Sequence, residues 1–375
     1  MEKILKVNNN TLAFFELLRA GLWEKEARLS MYGGIDFMEI NQIAEEQSVV
    51  GLLAAGLEHV QDVKLPKKVV LQFVGQALQI EQRNLTMNVF VAKLIELLRK
   101  KEVYSILVKG QGIAQCYERP LWREAGDVDL LLASDDYEKT KKLLIPLATV
   151  VEQEFSHFKH QAMTIDGWEV ELHGTLHSRL SKRVDRIIDQ VQADIFYGGN
   201  VRSWQNGNTQ VFLPAPNVDV IFVFTHILHH FFFEGIGLRQ ICDWCRLLWT
   251  FRGKIDINLL GKRLKKAGIM TEWKAFASFV VDYLGMPEDA MPFYSNDAKW
   301  GKKAEMISSD VMRVGNFGHN CLKERKEHPF LLQKLNSFRK RMCDMLRHFR
   351  LFPKDSLFFI EGVLISGFHA FIRSE

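Results

Sequence analysis

Strand-like apolar runs in this sequence are confined to one middle segment, and this confinement limits the fold more than any other feature. Over Asn10–Lys100 the apolar residues recur at helical spacing, with a break at Pro66. Short apolar runs then alternate with helical segments over residues 104–173. Helical spacing returns from Pro216 onward. This order predicts a helical region, an α/β unit and a second helical region.

We predict an α+β fold in which a small core with a mixed sheet is flanked by N-terminal and C-terminal helical bundles. The predicted boundaries are residues 1–100, 101–215 and 216–375. The core strands are predicted at Tyr104–Val108, Asp127–Leu132, Val150–Phe155, Phe158–Ile165 and Trp168–His173. Asp166-Gly167 is typical of a two-residue hairpin turn between the last two strands. Helices are predicted at Ile113–Tyr117, Asp136–Leu147, Val218–Phe233, Gly237–Trp249, Asn258–Ala267 and Thr271–Leu284.

The charge balance and the cysteine count exclude several classes of protein. The 375 residues include 49 Lys and Arg against 45 Asp and Glu, and this net charge of +4 is too mild to indicate a nucleic acid or a membrane partner. The 5 cysteines favour a reducing compartment over a disulfide scaffold. The N-terminus lacks the apolar run of a signal peptide, and no clean apolar stretch reaches the roughly 20 residues of a membrane-spanning helix. We therefore expect a cytoplasmic protein with no membrane partner.

Two aspartates form the sharpest local signal in the predicted core. Asp127 and Asp129 flank Val128 at the start of a predicted strand. Residues two apart on a strand project from the same face with Cα atoms about 6.6 Å apart, so both carboxylates can reach one divalent cation or bridge two. A metal site needs further ligands, and without them the aspartates would simply face water or cap a helix.

A third carboxylate is expected from the last strand of the core. Glu169, Glu171 and His173 alternate there on one face, with Val170 and Leu172 on the other. If this strand lies beside the aspartate strand, Glu169 or Glu171 completes a Mg²⁺ site of three carboxylates. The alternation alone is equally typical of a strand with one face in water.

Glycines and cations near the aspartates indicate a phosphate site. The segment Lys109-Gly-Gln-Gly lies between a predicted strand and a predicted helix, where backbone N–H groups can approach a phosphate and the lysine adds positive charge. Arg119 and Arg123 precede the aspartate strand and can bind phosphate oxygens, although either could be a solvated loop charge. Together these groups are what phosphoryl or nucleotidyl transfer requires.

These motifs resemble those of the bacterial uncharacterised nucleotidyltransferase family, which belongs to the DNA polymerase beta-like nucleotidyltransferase superfamily. The resemblance rests on the segments Val108–Ala114, Arg123–Leu132 and Val170–His173. A later helical stretch, with His226-x-x-x-His230 and Leu238–Asp243, also looks like this family, so the likeness spans roughly residues 90–260. The fold implied is a small nucleotidyltransferase core between helical parts.

The resemblance also implies residue roles. Asp127 and Asp129 look like the two metal ligands, and Glu171 looks like the third carboxylate, which activates the attacking hydroxyl. The implied cofactor is Mg²⁺ or Mn²⁺, and the implied substrate is an NTP. The residues that would bind its phosphates are Lys109, Gly110, Gln111, Gly112 and Arg123. Related nucleotidyltransferases carry Gly-Ser at the position of Gly110-Gln111, so here Lys109, Gln111 and Arg123 would have to supply the missing hydroxyl contact.

Histidines provide candidates for an acceptor pocket. His226, His229 and His230 lie on a predicted helix rich in phenylalanine, and His226 with His230 is an i, i+4 pair able to bind a metal. Because a zinc site needs at least three ligands, we favour packing or an acceptor pocket formed by His173, His226 and His230 over a metal site.

Two features of the C-terminal region have ordinary interpretations beside functional ones. Cys242-Asp-Trp-Cys245 is a lone C-x-x-C motif in a helical pattern, which is more typical of core thiols than of a zinc or redox centre. Asp243 and Arg239 on the same helix could reach the acceptor. The basic segment Lys323–Arg350 is typical of an amphipathic helix with a solvated face, or alternatively of a surface for RNA or an acidic acceptor.

Two functions from different classes follow. The first is a Mg²⁺-dependent nucleotidyltransferase that moves a nucleoside monophosphate from an NTP to a hydroxyl of an unidentified small molecule, protein or RNA. The second is a catalytically inactive nucleotide-binding or regulatory protein with the same fold. For the predicted site, Asp129→Asn is expected to abolish Mg²⁺-linked NTP binding. The same change should raise the stability of the metal-free protein by removing repulsion between carboxylates.

Overall fold

The structure is a computed structural model that describes residues 8–154, 159–178, 180–316 and 347–353. Its main helices are α1 (Asn9–Trp23), α2 (Phe37–Glu46), α3 (Val50–Glu58), α4 (Lys67–Lys100), α5 (Gly110–Ala114), α6 (Ser134–Leu144), α7 (Lys182–Phe196), α8 (Pro216–Phe233), α9 (Leu238–Thr250), α10 (Ile257–Ala267), α11 (Met270–Asp282) and α12 (Ala298–Val314). Its strands are β1 (Ser105–Val108), β2 (Val128–Leu132), β3 (Val150–Val151), β4 (His160–Ile165), β5 (Trp168–His173), β6 (Val201–Asn206) and β7 (Thr209–Pro214). Most of the basic segment Lys323–Arg350 lies outside the described residues.

The N-terminal region consists of helices, as the sequence predicts, and two of them are in backbone contact. A Cβ atom at Gly21 of α1 would lie 1.9 Å from the carbonyl oxygen of Leu52 in α3. A Cβ atom at Gly56 of α3 would lie 2.0 Å from the carbonyl oxygen of Leu17 in α1. Only glycine leaves room for this crossing, since any side chain would push the two helices apart.

The long helix α4 connects the N-terminal helices with the sheet. It has 34 residues and begins directly after Pro66, where the sequence indicates a break. Phe73 and Ala77 pack in the core of the helical parts, whereas the segment 87–98 contributes five further apolar side chains and Met87 to the core beneath the sheet. One continuous helix therefore contacts both cores.

The five-stranded sheet is mixed, with the strand order β1-β2-β5-β4-β3. β2 is antiparallel to β1 and parallel to β5, and β5 is antiparallel to β4. The register places Asp129 beside Val108 on one side and beside Glu171 on the other. The predicted hairpin turn is confirmed, because Asp166 and Gly167 connect β4 to β5 with φ angles of 50° and 79°.

The two faces of the sheet differ in chemistry. The face that packs on α4 is apolar and is formed largely by Leu107, Val128, Leu130, Leu132, Val170 and Leu172. Strand alternation puts Asp129, Glu171 and His173 on the opposite face. The sheet thus holds a polar cluster on a rigid apolar base.

The core contains elements that the sequence reading missed or misplaced. α5 begins at Gly110, whereas the sequence predicts a helix over Ile113–Tyr117. α7 and the separate two-stranded sheet of β6 and β7 were not predicted. Gly207-Asn208 forms the two-residue turn between these strands, with Gly207 at a φ of 59°, and is a hairpin signal that could have revealed them. β3 has two residues, and Phe155 and Phe158 of the predicted strands lie outside the described residues.

The described part of the C-terminal region is helical, and the four predicted helices over residues 218–284 correspond to α8–α11 with ends that differ by at most two residues. Its core is aromatic: Phe224 stacks on Trp244 with a centroid distance of 5.0 Å, and both contact Trp273. No helix among the described residues combines the length and the apolar character needed to cross a membrane.

Candidate metal centre

Three carboxylates converge on the polar face of the sheet. Asp127, Asp129 and Glu171 each offer a ligand oxygen, and these atoms lie within 4.8 Å of one another. Asp129 is 1% exposed, and the other two side chains are half-buried. The parallel register of β2 and β5 makes Asp129 and Glu171 neighbours. Glu169, the alternative third carboxylate, is exposed and lies outside this cluster.

Asp129 is compensated by two positively charged or protonatable groups. Its Oδ1 atom lies 2.7 Å from Lys109 Nζ and 2.8 Å from His173 Nε2. Burial alone would lower the pKa of Lys109, but the carboxylates of Asp129, Glu171 and Asp127 outweigh burial and raise it. Burial would also lower the pKa of His173, and its hydrogen bonds to Asp129 and Glu171 raise it instead. Lys109 and His173 are therefore both bound to this cluster.

Asp127 is the carboxylate whose ionisation is most opposed by its neighbours. The charge of Asp129 and, next, burial raise its pKa to about 6. A divalent cation among the three carboxylates would remove this repulsion, and carboxylate oxygens are the ligands that Mg²⁺ and Mn²⁺ prefer. The donor set and its unbalanced charge therefore fit such an ion.

Glu171 is bound by two histidines. Its Oε2 atom lies 3.1 Å from His160 Nε2 and 3.4 Å from His173 Nε2. Burial favours a raised pKa, but hydrogen bonds from His160 and His173 and the charge of Lys109 hold the pKa of Glu171 well below its usual range. The sequence reading missed His160. The turn at Asp166-Gly167 could have revealed it, because a two-residue hairpin pairs His160 with His173.

The backbone at Lys109 is strained where it presents this side chain. Lys109 has φ 56° and ψ −142°, a conformation that costs a non-glycine residue of order 1–3 kcal/mol. Gly110 follows with a φ of 34°, and a Cβ there would lie 3.3 Å from the carbonyl oxygen of Asp127. The strained turn thus lies against the segment that carries the aspartates and directs the lysine to Asp129.

The predicted phosphate-binding residues after Lys109 form the first turn of α5. The first N–H groups of a helix have no partner within the helix, so those of Gly110, Gln111 and Gly112 are the candidates for binding phosphate. The side chain of Gln111 is buried and donates to Asn84 Oδ1 at 3.1 Å. Gly112 is also needed for packing, since a Cβ there would lie 2.8 Å from Leu213 Cδ2. The Gln111 amide group therefore binds α4, whereas Lys109 binds the carboxylate of Asp129.

The two arginines are bound to carboxylates of the helical regions. Arg123 makes a bidentate pair with Asp243 of α9 at 3.0 Å (Nε–Oδ1) and 2.5 Å (Nη2–Oδ2), and both side chains are 6% exposed. Arg119 pairs with Glu24 and Glu58. Neither arginine is a solvated loop charge. Arg123 anchors the segment before Asp127 to α9, and the phosphate contact that the sequence suggested for it stays a prediction.

The pKa values of two histidines on α8, His226 and His230, are affected by the charge of Lys109. His226 and His230 approach each other with Nε2 atoms 3.0 Å apart, and His230 Nδ1 lies 2.8 Å from Glu234 Oε2. Burial and then the charge of Lys109 hold the pKa of His226 well below its usual value. In the parts of the chain that the structure describes, these histidines belong to no group of three potential metal ligands.

Cys242 and Cys245 are buried free thiols in the aromatic core. Burial raises the pKa of both, so neither thiol is activated. Asp243 between them is occupied by Arg123 and by the hydroxyl of Tyr117, which donates to Oδ1 at 2.8 Å. The core interpretation of this C-x-x-C motif therefore agrees with the structure.

A sequence model of the family described as "Uncharacterised nucleotidyltransferase" matches residues 33–285. The match includes the sheet, all three carboxylates and helices α8 and α9. Comparisons with curated proteins and with solved structures give no match.

Proposed function

Because the chain belongs to the uncharacterised nucleotidyltransferase family, we propose that it is a Mg²⁺-dependent enzyme that transfers a nucleoside monophosphate from an NTP to a hydroxyl group. The observation that carries this proposal is the cluster of Asp127, Asp129 and Glu171, with ligand oxygens within 4.8 Å of one another on neighbouring strands. Three carboxylates on a sheet form the kind of platform that two-metal group transfer uses.

The carboxylates would hold the metal, and they would do so in different ways. When bound, Mg²⁺ would lower the pKa of the acceptor hydroxyl and stabilise the leaving pyrophosphate. Asp129 on β2 and Asp127, directly before this strand, would be its ligands, and Glu171 would bind from β5. A carboxylate whose pKa is held low is a poor proton acceptor, so we assign Glu171 as a ligand rather than as the general base.

Lys109 would bind the phosphates. Its ammonium group lies 2.7 Å from Oδ1 of Asp129, one of the residues that would hold the metal. A metal on Asp129 would take over this compensation and free the lysine for the negatively charged triphosphate. The backbone N–H groups of Gly110, Gln111 and Gly112 would add neutral donors. Arg123 would act indirectly, by holding the segment before Asp127.

We place the acceptor between His173 of the cluster and the α8 histidines His226 and His230, because burial and, in addition, the charge of Lys109 lower the pKa of both α8 histidines. The lowered pKa keeps the imidazole of His226 neutral near neutral pH. A neutral imidazole can accept a hydrogen bond from a hydroxyl group, and a hydroxyl is the group that the reaction consumes. His226→Ala should therefore weaken transfer and leave NTP binding unchanged.

The position of the radioactive label in the NTP tests the reaction. The protein is incubated with Mg²⁺ and a cell extract that supplies acceptors, and with each NTP labelled at either the α- or the γ-phosphate. We expect transfer of the α label alone, and none with Asp127→Asn. Glu169→Gln, on the same strand as Glu171 but exposed, is the matched control and should retain transfer. Transfer of the γ label instead would refute nucleotidyl transfer.

Two observations favour the second function, a nucleotide-binding protein without turnover. Gln111 stands where related enzymes have serine, and its side chain is bound to Asn84. Arg123 is likewise occupied by Asp243. If NTP with Mg²⁺ raises the unfolding temperature but no label is transferred, the protein binds nucleotide without catalysis. A metal-dependent shift that Asp127→Asn abolishes would still locate the nucleotide at this cluster.

A further inference from the structure

We propose that His160, Glu171 and His173 form a second cation site, for a transition-metal dication such as Zn²⁺, beside the three-carboxylate cluster. Each of the three residues offers one ligand atom, and these atoms lie within 4.8 Å of one another. The side chains are 23%, 20% and 14% exposed, so the site is sheltered but open to solvent. The two sites share Glu171.

The distances suit a tetrahedral metal. Two ligands that each lie about 2.0–2.1 Å from a tetrahedral zinc are about 3.3 Å apart. Glu171 Oε2 lies 3.1 Å from His160 Nε2 and 3.4 Å from His173 Nε2. Glu171 Oε2 therefore already has the spacing of a zinc ligand from each of the two imidazole nitrogens, and a small movement of side chains would complete the site.

The ligands are carried by regular strands, which preorganises them. His160 and His173 are direct cross-strand partners on β4 and β5, and their ring centroids are 4.9 Å apart. Glu171 precedes His173 by two residues and so projects from the same face. The two-residue turn at Asp166-Gly167 connects β4 and β5 directly. Binding would therefore order few groups, and little affinity would be lost to conformational entropy.

The donor set separates this site from the carboxylate cluster. Two imidazole nitrogens and one carboxylate are typical of zinc and similar metals, whereas the cluster of oxygen ligands suits Mg²⁺ or Mn²⁺. Asp129 Oδ1, at 2.8 Å from His173 Nε2, lies next to the proposed site and belongs to the carboxylate cluster. The proposal does not depend on nucleotidyl transfer, because it concerns metal binding alone.

The ordinary alternative is a hydrogen-bonded network in which the histidines only orient Glu171. The two interpretations differ in what His160 does for metal affinity. A residue that orients Glu171 without binding metal would change Zn²⁺ and Mn²⁺ affinity together, because Glu171 belongs to both sites. A ligand of the second site alone would change Zn²⁺ affinity and leave Mn²⁺ affinity unchanged.

The test uses the full chain, stripped of metal with a chelator and then titrated. Zn²⁺ affinity is measured in competition with a chromophoric chelator, and free Mn²⁺ is measured by electron paramagnetic resonance. We expect His160→Gln to weaken Zn²⁺ binding at least tenfold and to change Mn²⁺ binding less than twofold. Asp127→Asn should do the reverse. His177→Gln, whose ring pairs with Asp189 outside the cluster, is the control and should change neither affinity.

His160→Cys keeps the proposal testable if His160→Gln fails to fold. With Co²⁺ in place of zinc, a thiolate at this position would give a charge-transfer band that the wild-type protein lacks. Absence of that band in a folded variant would overturn the assignment of His160 as a ligand. The proposal would also fail if the wild-type protein bound no Zn²⁺, or if His160→Gln lowered both affinities equally. Neither result would bear on α-label transfer, so the two proposals fail separately.

Discussion

Replacing Asp127 by Asn should stabilise the metal-free protein, whereas replacing Asp129 by Asn should destabilise it. The sequence alone assigned the stabilising effect to Asp129→Asn, on the basis of repulsion between carboxylates. The structure reverses this sign, because Asp129 is the carboxylate that Lys109 and His173 compensate. The repulsion remains with Asp127, which the Asp129 charge and burial affect most.

The size of the Asp127 effect follows from its pKa, which is raised from 3.8 to about 6. A carboxyl group with a raised pKa contributes fully to stability below its unfolded pKa, and the contribution is lost as the pH rises through its folded pKa. One pKa unit corresponds to about 1.4 kcal/mol, so ionised Asp127 lowers the free energy of unfolding by about 3 kcal/mol at neutral pH. With an unfolding entropy of about 2.1 cal/mol/K per residue, Asp127→Asn should raise the Tm by about 4 °C.

The Asp129 effect follows from burial. Asp129 is 1% exposed and accepts from two groups, one of them the ammonium of Lys109. Removing one partner of a buried ion pair costs about 3–5 kcal/mol. Lys109 keeps the nearby charges of Asp127 and Glu171, so we expect a loss of about 3 kcal/mol, at the lower end of that range.

Urea unfolding in the presence of a metal chelator measures both effects. Glu169→Gln is the control, because this exposed carboxylate should change the free energy of unfolding by less than about 0.5 kcal/mol. At about pH 4.5 the gain from Asp127→Asn should fall to about 1 kcal/mol, since folding then protonates the wild-type carboxyl. The reasoning is refuted if both aspartate variants shift stability in the same direction, or if the Asp127→Asn gain is equal at both pH values.

Other predictions concern the metal, the α1–α3 crossing and the buried ion pair. Mg²⁺ or Mn²⁺ at about a hundred times its Kd should raise the free energy of unfolding of the wild type by about 2.7 kcal/mol and should not do so in Asp127→Asn. Thermal unfolding at increasing metal concentration measures this difference. Gly56→Ala should lower this free energy by about 3 kcal/mol or more, because α1 and α3 are in backbone contact there. Gly75→Ala on α4 is the matched control, because no atom lies within 4 Å of a Cβ at this position. This change should raise the free energy of unfolding by about 0.5–1 kcal/mol in the same urea titration. A loss of stability in Gly75→Ala would contradict the packing argument. Asp243→Asn leaves the buried guanidinium of Arg123 without its partner and should cost about 3–5 kcal/mol by urea unfolding, and an unchanged midpoint would contradict the pairing.

The fold was predictable where local pattern determines structure. Helical spacing located α8–α11, and Asp166-Gly167 located the hairpin turn, because both signals depend on neighbours in the chain. α7 and the hairpin of β6 and β7 were missed. Most side chains of β6 are half-buried or exposed, so this strand lacks a continuous apolar run. The start of α5 was misplaced, because Lys109 adopts a φ of 56° that local propensity does not favour.

The partners of the arginines could not be read from local pattern. Arg123 and Asp243 are 120 residues apart in the chain, and only the packing of α9 on the segment before β2 brings them together. A sequence motif shows that a cation is present near the aspartates. The motif does not show which carboxylate pairs with that cation. The partner of a buried guanidinium is the carboxylate that the fold brings within hydrogen-bond distance.

Alternation along the chain specifies which side chains share a face: the two-residue period of a strand couples Asp127 with Asp129 and Glu169 with Glu171 and His173. The pairing of the strands determines which of these side chains are neighbours. Only the parallel register of β2 and β5 makes Glu171, and not Glu169, the neighbour of Asp129. The pairing of β4 with β5 adds His160, which no motif marked. Pairing between strands is set by contacts between residues distant in the chain. Alternation within one strand therefore specifies which face a side chain lies on and does not specify which strands lie beside it.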